Sequence, residues 1–167
     1  RYELEFRKFY KNIFLEKLYE AKRAMFPDPV CHKPQFFFAD VNHQGAPELC
    51  SFSGDCTTGS HKIFFFGGLS KPTLPTNFLI QFDPDTQSFT KENTPVLSRS
   101  GHTVTAIRDC IYVAFGFNRN TTYNDIWQFD SATGFWKDIS LGKNLPERKN
   151  HSCVAYGDEL FFFGGEN

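Results

Sequence analysis

Apolar residues near the start of the chain recur at Tyr2, Phe6, Phe9/Tyr10, Ile13/Phe14, Leu18, Ala21 and Met25, the three-and-four spacing of one helical face. Neither Gly nor Pro interrupts residues 1–26, and Pro27-Asp28-Pro29 then stops the helix, because proline lacks the N–H and restricts its predecessor. The pattern predicts an amphipathic α-helix over 1–26, with 27–49 as a linker. From Cys50 onward the pattern changes to short apolar runs and two-residue alternations broken by Gly, Asn, Asp and Ser, the mark of half-buried strands and tight turns.

Those strands repeat. Ile63-Phe64-Phe65-Phe66-Gly67-Gly68 matches Leu160-Phe161-Phe162-Phe163-Gly164-Gly165, 97 residues later, and Ile111-Tyr112-Val113-Ala114-Phe115-Gly116 lies between them at steps of 48 and 49. A second series sets Asn77-Phe78-Leu79-Ile80-Gln81-Phe82-Asp83 against Asn124-Asp125-Ile126-Trp127-Gln128-Phe129-Asp130, a step of 47. In a third, Arg99 and His102 recur as Arg148 and His151, each 49 residues on. In the best-preserved copy, His102 to Ile107, Ile111 to Phe115, Asp125 to Phe129 and Phe135 to Ile139 read as four strands. Four short antiparallel strands per unit of about 50 residues describe one blade of a propeller, a sheet that must stack on neighbours to cover its faces.

The glycine doublets Gly67-Gly68 and Gly164-Gly165, Trp127 and Phe129 before Asp130, the later Trp136 and the Pro/Arg/His entry to each unit resemble kelch repeats. The resemblance implies an all-β fold of kelch-type β-propeller blades over 50–167, with units at about 50–91, 99–140 and 148–167, the last partial. It also implies that the doublet permits close strand approach near the axis and that the tryptophan packs between blades. Phe115 stands where a first glycine belongs, Phe89 replaces the tryptophan, and no Arg/His entry precedes Ile63, so the first unit reads as an atypical, terminal repeat with an uncertain inner strand. Kelch propellers usually close with about six or seven blades. The remaining blades are therefore expected from a further chain segment or from another chain.

Composition narrows the function. The 167 residues carry 18 basic and 19 acidic side chains and 21 phenylalanines. A net charge of −1 gives no general drive towards nucleic acid or an anionic membrane. No apolar run approaches the roughly 20 residues of a membrane-spanning helix. Residues 1–26 hold seven basic and four acidic side chains, +3, against 11 and 15, −4, in the rest. The mixture of Glu3, Glu5, Glu16 and Glu20 among the cations favours packing on the following domain or an adjoining chain. Five cysteines cannot all pair within the chain, so the expected setting is reducing and cytoplasmic.

Catalytic chemistry is missing from the pattern. There is no phosphate loop, nucleophile elbow or zinc-helix motif, and the acids Asp83/Asp85 and Asp158/Glu159 fall in turns. Cys31, His32, His43, Cys50, Cys56 and His61 fit no zinc-finger spacing, so no metal or other cofactor is expected. His102 and His151, at equivalent repeat positions, read as structural. The competing reading is a metal-dependent, oxidase-like propeller, for which the converging Tyr, His and Cys ligands are not on display.

What remains is a recognition surface. In a four-stranded blade, the loop between strands two and three and the link to the next blade emerge on one face. Here they carry Lys71, Arg99, Asn118, Arg119, Asn120, Lys143, Arg148 and Lys149, opposed by Glu92 and Glu147. These residues are the expected partner-binding site, suited to a protein with an acidic surface. By the family resemblance, an arginine placed like Arg99 or Arg148 lines the mouth and contacts acidic peptides; it could equally brace adjoining blades. The expectation is a non-enzymatic protein-interaction scaffold within a larger complex, cytoskeletal or ciliary. The substrate-recognition part of a ubiquitin-ligase adaptor is the alternative, although no BTB or F-box segment is present in this sequence.

Overall fold

Tight turns and two-residue alternation produce strands and no helix among the residues that the computed structural model describes, 51–56, 60–71, 73–140 and 144–167. The helix expected over 1–26, most of the candidate thiol and imidazole cluster, and Lys143 lie outside the described residues. The first unit contains β1 (Ser51–Cys56), β2 (Ile63–Lys71), β3 (Leu74–Pro75), β4 (Phe78–Asp83) and β5 (Ser88–Asn93). Its main path is the antiparallel order β1-β2-β4-β5, with β3 folded back on β2. The uncertain inner strand does form: β1 pairs with β2 from Cys56↔Ile63 to Ser51↔Leu69, through an irregularity between Ser51 and Ser53.

The second unit contains β6 (Thr103–Ile107), β7 (Cys110–Ala114), β10 (Ile126–Asp130) and β11 (Phe135–Asp138), in the antiparallel order β6-β7-β10-β11. Its strand-two-to-three loop forms a small hairpin of its own, β8 (Phe117–Asn118) with β9 (Thr121–Thr122). The third unit shows β12 (Lys149–Tyr156) paired with β13 (Glu159–Glu166). β6 lies against β1 on one side and β12 on the other, so the first strands of the three units stand side by side. The described strands form no closed ring.

Local chemistry sets the turns. Asp83 Oδ1 accepts from the amides of Asp85 and Thr86, and Asp130 Oδ1 accepts from those of Ala132 and Thr133. An aspartate that mimics a backbone turn in this way suits the point where a strand reverses. Asp83, expected in a turn, and its repeat counterpart Asp130 are thus engaged with their own backbone.

Alternation then decides which side chains meet. Phe64 and Phe66 leave β2 on the face towards the second unit and are 1% and 0% exposed. They join Leu79, Val96, Val104, Ile111, Val113 and Phe129 in the main core, with Ala106, Trp127 and Trp136 packed against it. Trp136 lies 4.9 Å from Phe129 of its own unit and 5.9 Å from Phe66 of the first. This is the inter-blade tryptophan that the resemblance implies. A second aromatic seam joins the second and third units, where Phe115 contacts both His151 and Phe162. The opposite face of the third unit is open, with Val154, Tyr156, Phe161 and Phe163 exposed.

Candidate functional site

The link into each unit is anchored by its arginine. The Arg99 amide donates to Thr76 O at 3.1 Å, and Arg99 O accepts from Gly68 N at 2.9 Å. Forty-nine residues later the Arg148 amide donates to Tyr123 O, and Arg148 O accepts from Gly116 N. The backbone of each arginine is therefore hydrogen-bonded to the preceding unit. The glycine doublet makes room for this: a Cβ on Gly67 would lie 2.9 Å from Arg99 O and from His102 Cε1.

The Arg99 side chain turns into its own unit and is fully buried. Nη1 donates to Phe115 O at 2.8 Å, Nε donates to Leu97 O, and the guanidinium holds both oxygens of Asp125, the Nη2 bond measuring 2.8 Å. The Tyr123 ring covers it at 4.3 Å. A planar fork with five donors suits this bidentate arrangement. Burial alone would raise the Asp125 carboxyl; hydrogen bonds and charge from Arg99, with the Trp127 Nε1–H bond, outweigh it and hold the group below the ordinary carboxylate range. Of the two roles open to Arg99, bracing is the one its position fills. The guanidinium is enclosed by a carboxylate, two carbonyls and a ring.

His102 is braced in the same layer. A ring nitrogen, Nε2, meets Phe66 O at 2.9 Å and the ring packs edge-on against Phe66 at 5.3 Å. Desolvation, with the Arg99 charge, pushes its pKa down to about 3 against the opposing Phe66 carbonyl bond, so the neutral ring is the folded form and Nε2 carries the donated proton. His151 Nε2 meets Thr103 Oγ1 at 2.9 Å, and its pKa is also lowered, chiefly by burial and then by Arg148. Both histidines join neighbouring units, as their repeat positions suggest.

The remaining predicted residues divide. Asn118, Arg119 and Asn120, at the tip of the β8–β9 hairpin, come together with Leu74, Pro75, Ser98, Thr121 and Tyr123 around an open cavity of about 390 Å³. Asn118 Nδ2 donates to Ser98 Oγ at 2.9 Å, which ties the hairpin to the link. Arg119 and Asn120 are exposed, and Arg119 makes no ion pair among the described residues. Lys71 is exposed at the end of β2, outside this lining. Arg148 donates to Gly164 O at 2.7 Å. Lys149 Nζ lies 5.1 Å from the Phe117 ring centre and 4.0 Å from Glu166. Three of the eight predicted residues thus share one cavity.

The sequence reading missed Asp125, Tyr123, Ser98 and the apolar wall Leu74-Pro75. A signal for Asp125 was present. The repeat sets Phe78 against it in the first unit, the unit that also lacks the entry arginine.

Antiparallel sheets stacked through aromatic seams, stitched by a recurring arginine link and presenting loops at one end, define a repeat protein of the propeller-blade class. The model described as the KLHDC2/KLHL20/DRC7 Kelch-repeats domain matches residues 37–165, and the chain belongs to the kelch-repeat family. It is 30% identical over 121 residues to human Kelch domain-containing protein 3, covering 64% of this chain and 31% of that protein. Mouse Kelch domain-containing protein 10 is 26% identical over 121 residues, covering 57% and 28%. The Drosophila melanogaster leucine-zipper-like transcriptional regulator 1 homolog is 35% identical over 68 residues, covering 40% and 7%. The chain therefore spans about a third or less of these relatives. Kelch domains generally bind protein partners.

Proposed function

We propose that this chain is a non-enzymatic recognition module that binds an acidic segment of a partner protein at the cavity beneath the β8–β9 hairpin. The single observation that carries the reading is the cavity of about 390 Å³ with Arg119 exposed at its rim between Asn118 and Asn120. An arginine fork supplies charge and paired donors for a carboxylate, the two amides supply adaptable donors and acceptors, and Leu74, Pro75 and Tyr123 supply apolar contact. The hairpin is held in place before a ligand arrives, by the Asn118–Ser98 bond and by Tyr123 N donating to Gly116 O. Such preorganisation lowers the entropy lost on binding. The reading extends to a scaffold role within a larger cytoplasmic complex, supported by family membership and by the loop face.

Selection of a displayed random-peptide library on the chain tests this. Enrichment of Asp- or Glu-containing peptides is expected, with Arg119→Glu weakening the selected peptides about tenfold or more and leaving the unfolding midpoint unchanged. Lys137→Glu makes the same charge change on β11 and should bind normally. Peptides without acidic residues, or equal losses in both variants, would refute the assignment.

A further inference from the structure

Resting on that recognition reading, we propose that the cavity selects an extended partner segment in which an aliphatic residue lies directly beside the acidic one, the acid facing Arg119 and its neighbour facing Leu74 and Pro75. Two units line the cavity with unlike chemistry. Leu74 and Pro75 come from the first unit, Asn118 to Thr121 and Tyr123 from the second, and Ser98 from the link between them. A volume of about 390 Å³ is near the small end of the roughly 300–1,000 Å³ of ligand pockets, which suits a short stretch of chain. Successive side chains of an extended chain point to opposite sides, so adjacent residues, and not next-but-one residues, can serve two different walls.

Arg119 holds its place against the preference of the backbone. It is the first of the two residues that join Asn118 to Thr121, and its φ is +52, in the left-handed region that favours glycine in such a short hairpin loop. A glycine would meet this geometry without strain, so what the arginine adds is its side chain. Strained backbone of this kind collects at ligand sites, and this exposed guanidinium makes no ion pair among the described residues.

The apolar wall is equally particular to this place. Leu74 is 45% exposed, although β3 fixes its backbone in register, with Lys71↔Leu74 and Leu69↔Pro75. Pro75 offers no N–H for a ladder bond, so this wall grips through side-chain surface. Tyr123 adds an aromatic surface whose position is set on three sides. Its amide donates to Gly116 O, its carbonyl accepts from Arg148 N, and its ring lies over the Arg99 guanidinium at 4.3 Å. The repeat does not demand a ring there. In the first unit Thr76 makes the same two backbone bonds, donating to Gly68 O and accepting from Arg99 N.

The test titrates short synthetic peptides of Gly and Ser into the isotope-labelled chain. One carries Val-Asp-Val at its centre, a second has the same composition with a Ser on each side of the Asp and the valines beyond, and a third carries the Asp alone. The first should bind at least about fivefold more tightly than the other two, shifting the amides of Leu74, Arg119 and Tyr123. Leu74→Ser should remove that preference and leave the affinity for the Asp-only peptide unchanged. Arg119→Gly should weaken all three peptides without lowering the unfolding midpoint. Should either variant unfold, the three peptides on the unaltered chain still decide. Equal affinities of the three, or a preference that survives Leu74→Ser, would overturn the adjacent pairing and leave the acidic-segment reading standing. Binding no better than that of a Gly/Ser peptide without Asp would overturn both.

Discussion

At Arg99 one residue joins two blades, because its backbone belongs to the seam with the first unit while its guanidinium closes the second. Removing one partner of a buried ion pair leaves the other desolvated and unpaired, which costs about 3–5 kcal/mol. Asp125→Ala should therefore lower stability by about that amount in urea unfolding, whereas the double variant Arg99→Met/Asp125→Leu should recover much of the loss. His102 gives the same seam a pH dependence. Its pKa is lowered to about 3 in the folded chain against about 6.5 unfolded, so the unfolded state binds more protons between those values and stability falls as pH drops through that window. From pH 7 to pH 5 the loss from this group should be about 2 kcal/mol. The lowered pKa of His151 acts in the same direction, and the stabilisation from Asp125 is lost at more acidic pH, as pH falls from the ordinary carboxylate range through its lowered value. Urea titrations of His102→Gln at the two pH values should show a markedly smaller drop; an unchanged drop would place the titrating group elsewhere.

Among the elements, the glycine strand and its hairpin explain why similar-looking glycines differ in consequence. Gly116 has φ +94, and a Cβ there would lie 2.7 Å from His102 Cβ and 2.8 Å from Ser100 O. Gly134, in the β10–β11 turn, has φ +74 and nothing within 4 Å of the same atom. Gly134→Ala should thus cost only the left-handed backbone penalty of about 1–2 kcal/mol. Gly116→Ala adds a clash in the seam and should cost clearly more, a difference that parallel denaturant curves will read directly. Phe115 takes the neighbouring left-handed position, φ +57, although it is not glycine. Its ring fills the second seam against His151 and Phe162, and that packing offsets the backbone cost.

For the molecule as a whole, the same aromatic pair is core in the first unit and surface in the third. Phe64 and Phe66 sit in the first seam, while Phe161 and Phe163 face outwards. Exposed apolar faces and unpaired strand edges promote association. Phe161→Glu/Phe163→Glu should consequently reduce self-association in sedimentation velocity while leaving the urea midpoint nearly unchanged. The matching change at Phe64 and Phe66 should unfold the chain. The seams fix the blade ends, and the β8–β9 hairpin, tied to the link by the Asn118–Ser98 bond, exposes Arg119 and Asn120.

Much of this was legible in the chain because a repeat writes the same physical requirement more than once. The glycine-ended strands, the Arg and His entries and the aspartates before each turn sit at steps of 47 to 49, and period-two apolar runs specify strands by which face must be buried. That was enough for the four-stranded antiparallel order of a blade, and the kelch resemblance added the inter-blade tryptophan. Periodicity does not say whether a charge is enclosed. Arg99 and Arg119 are both cations in the candidate loop-and-link set, yet only tertiary packing brings Asp125, Phe115 O and the Tyr123 ring around the first and leaves the second at a cavity rim. The contacts that enclose Arg99 join residues 16 to 26 positions apart and form only when the sheet does.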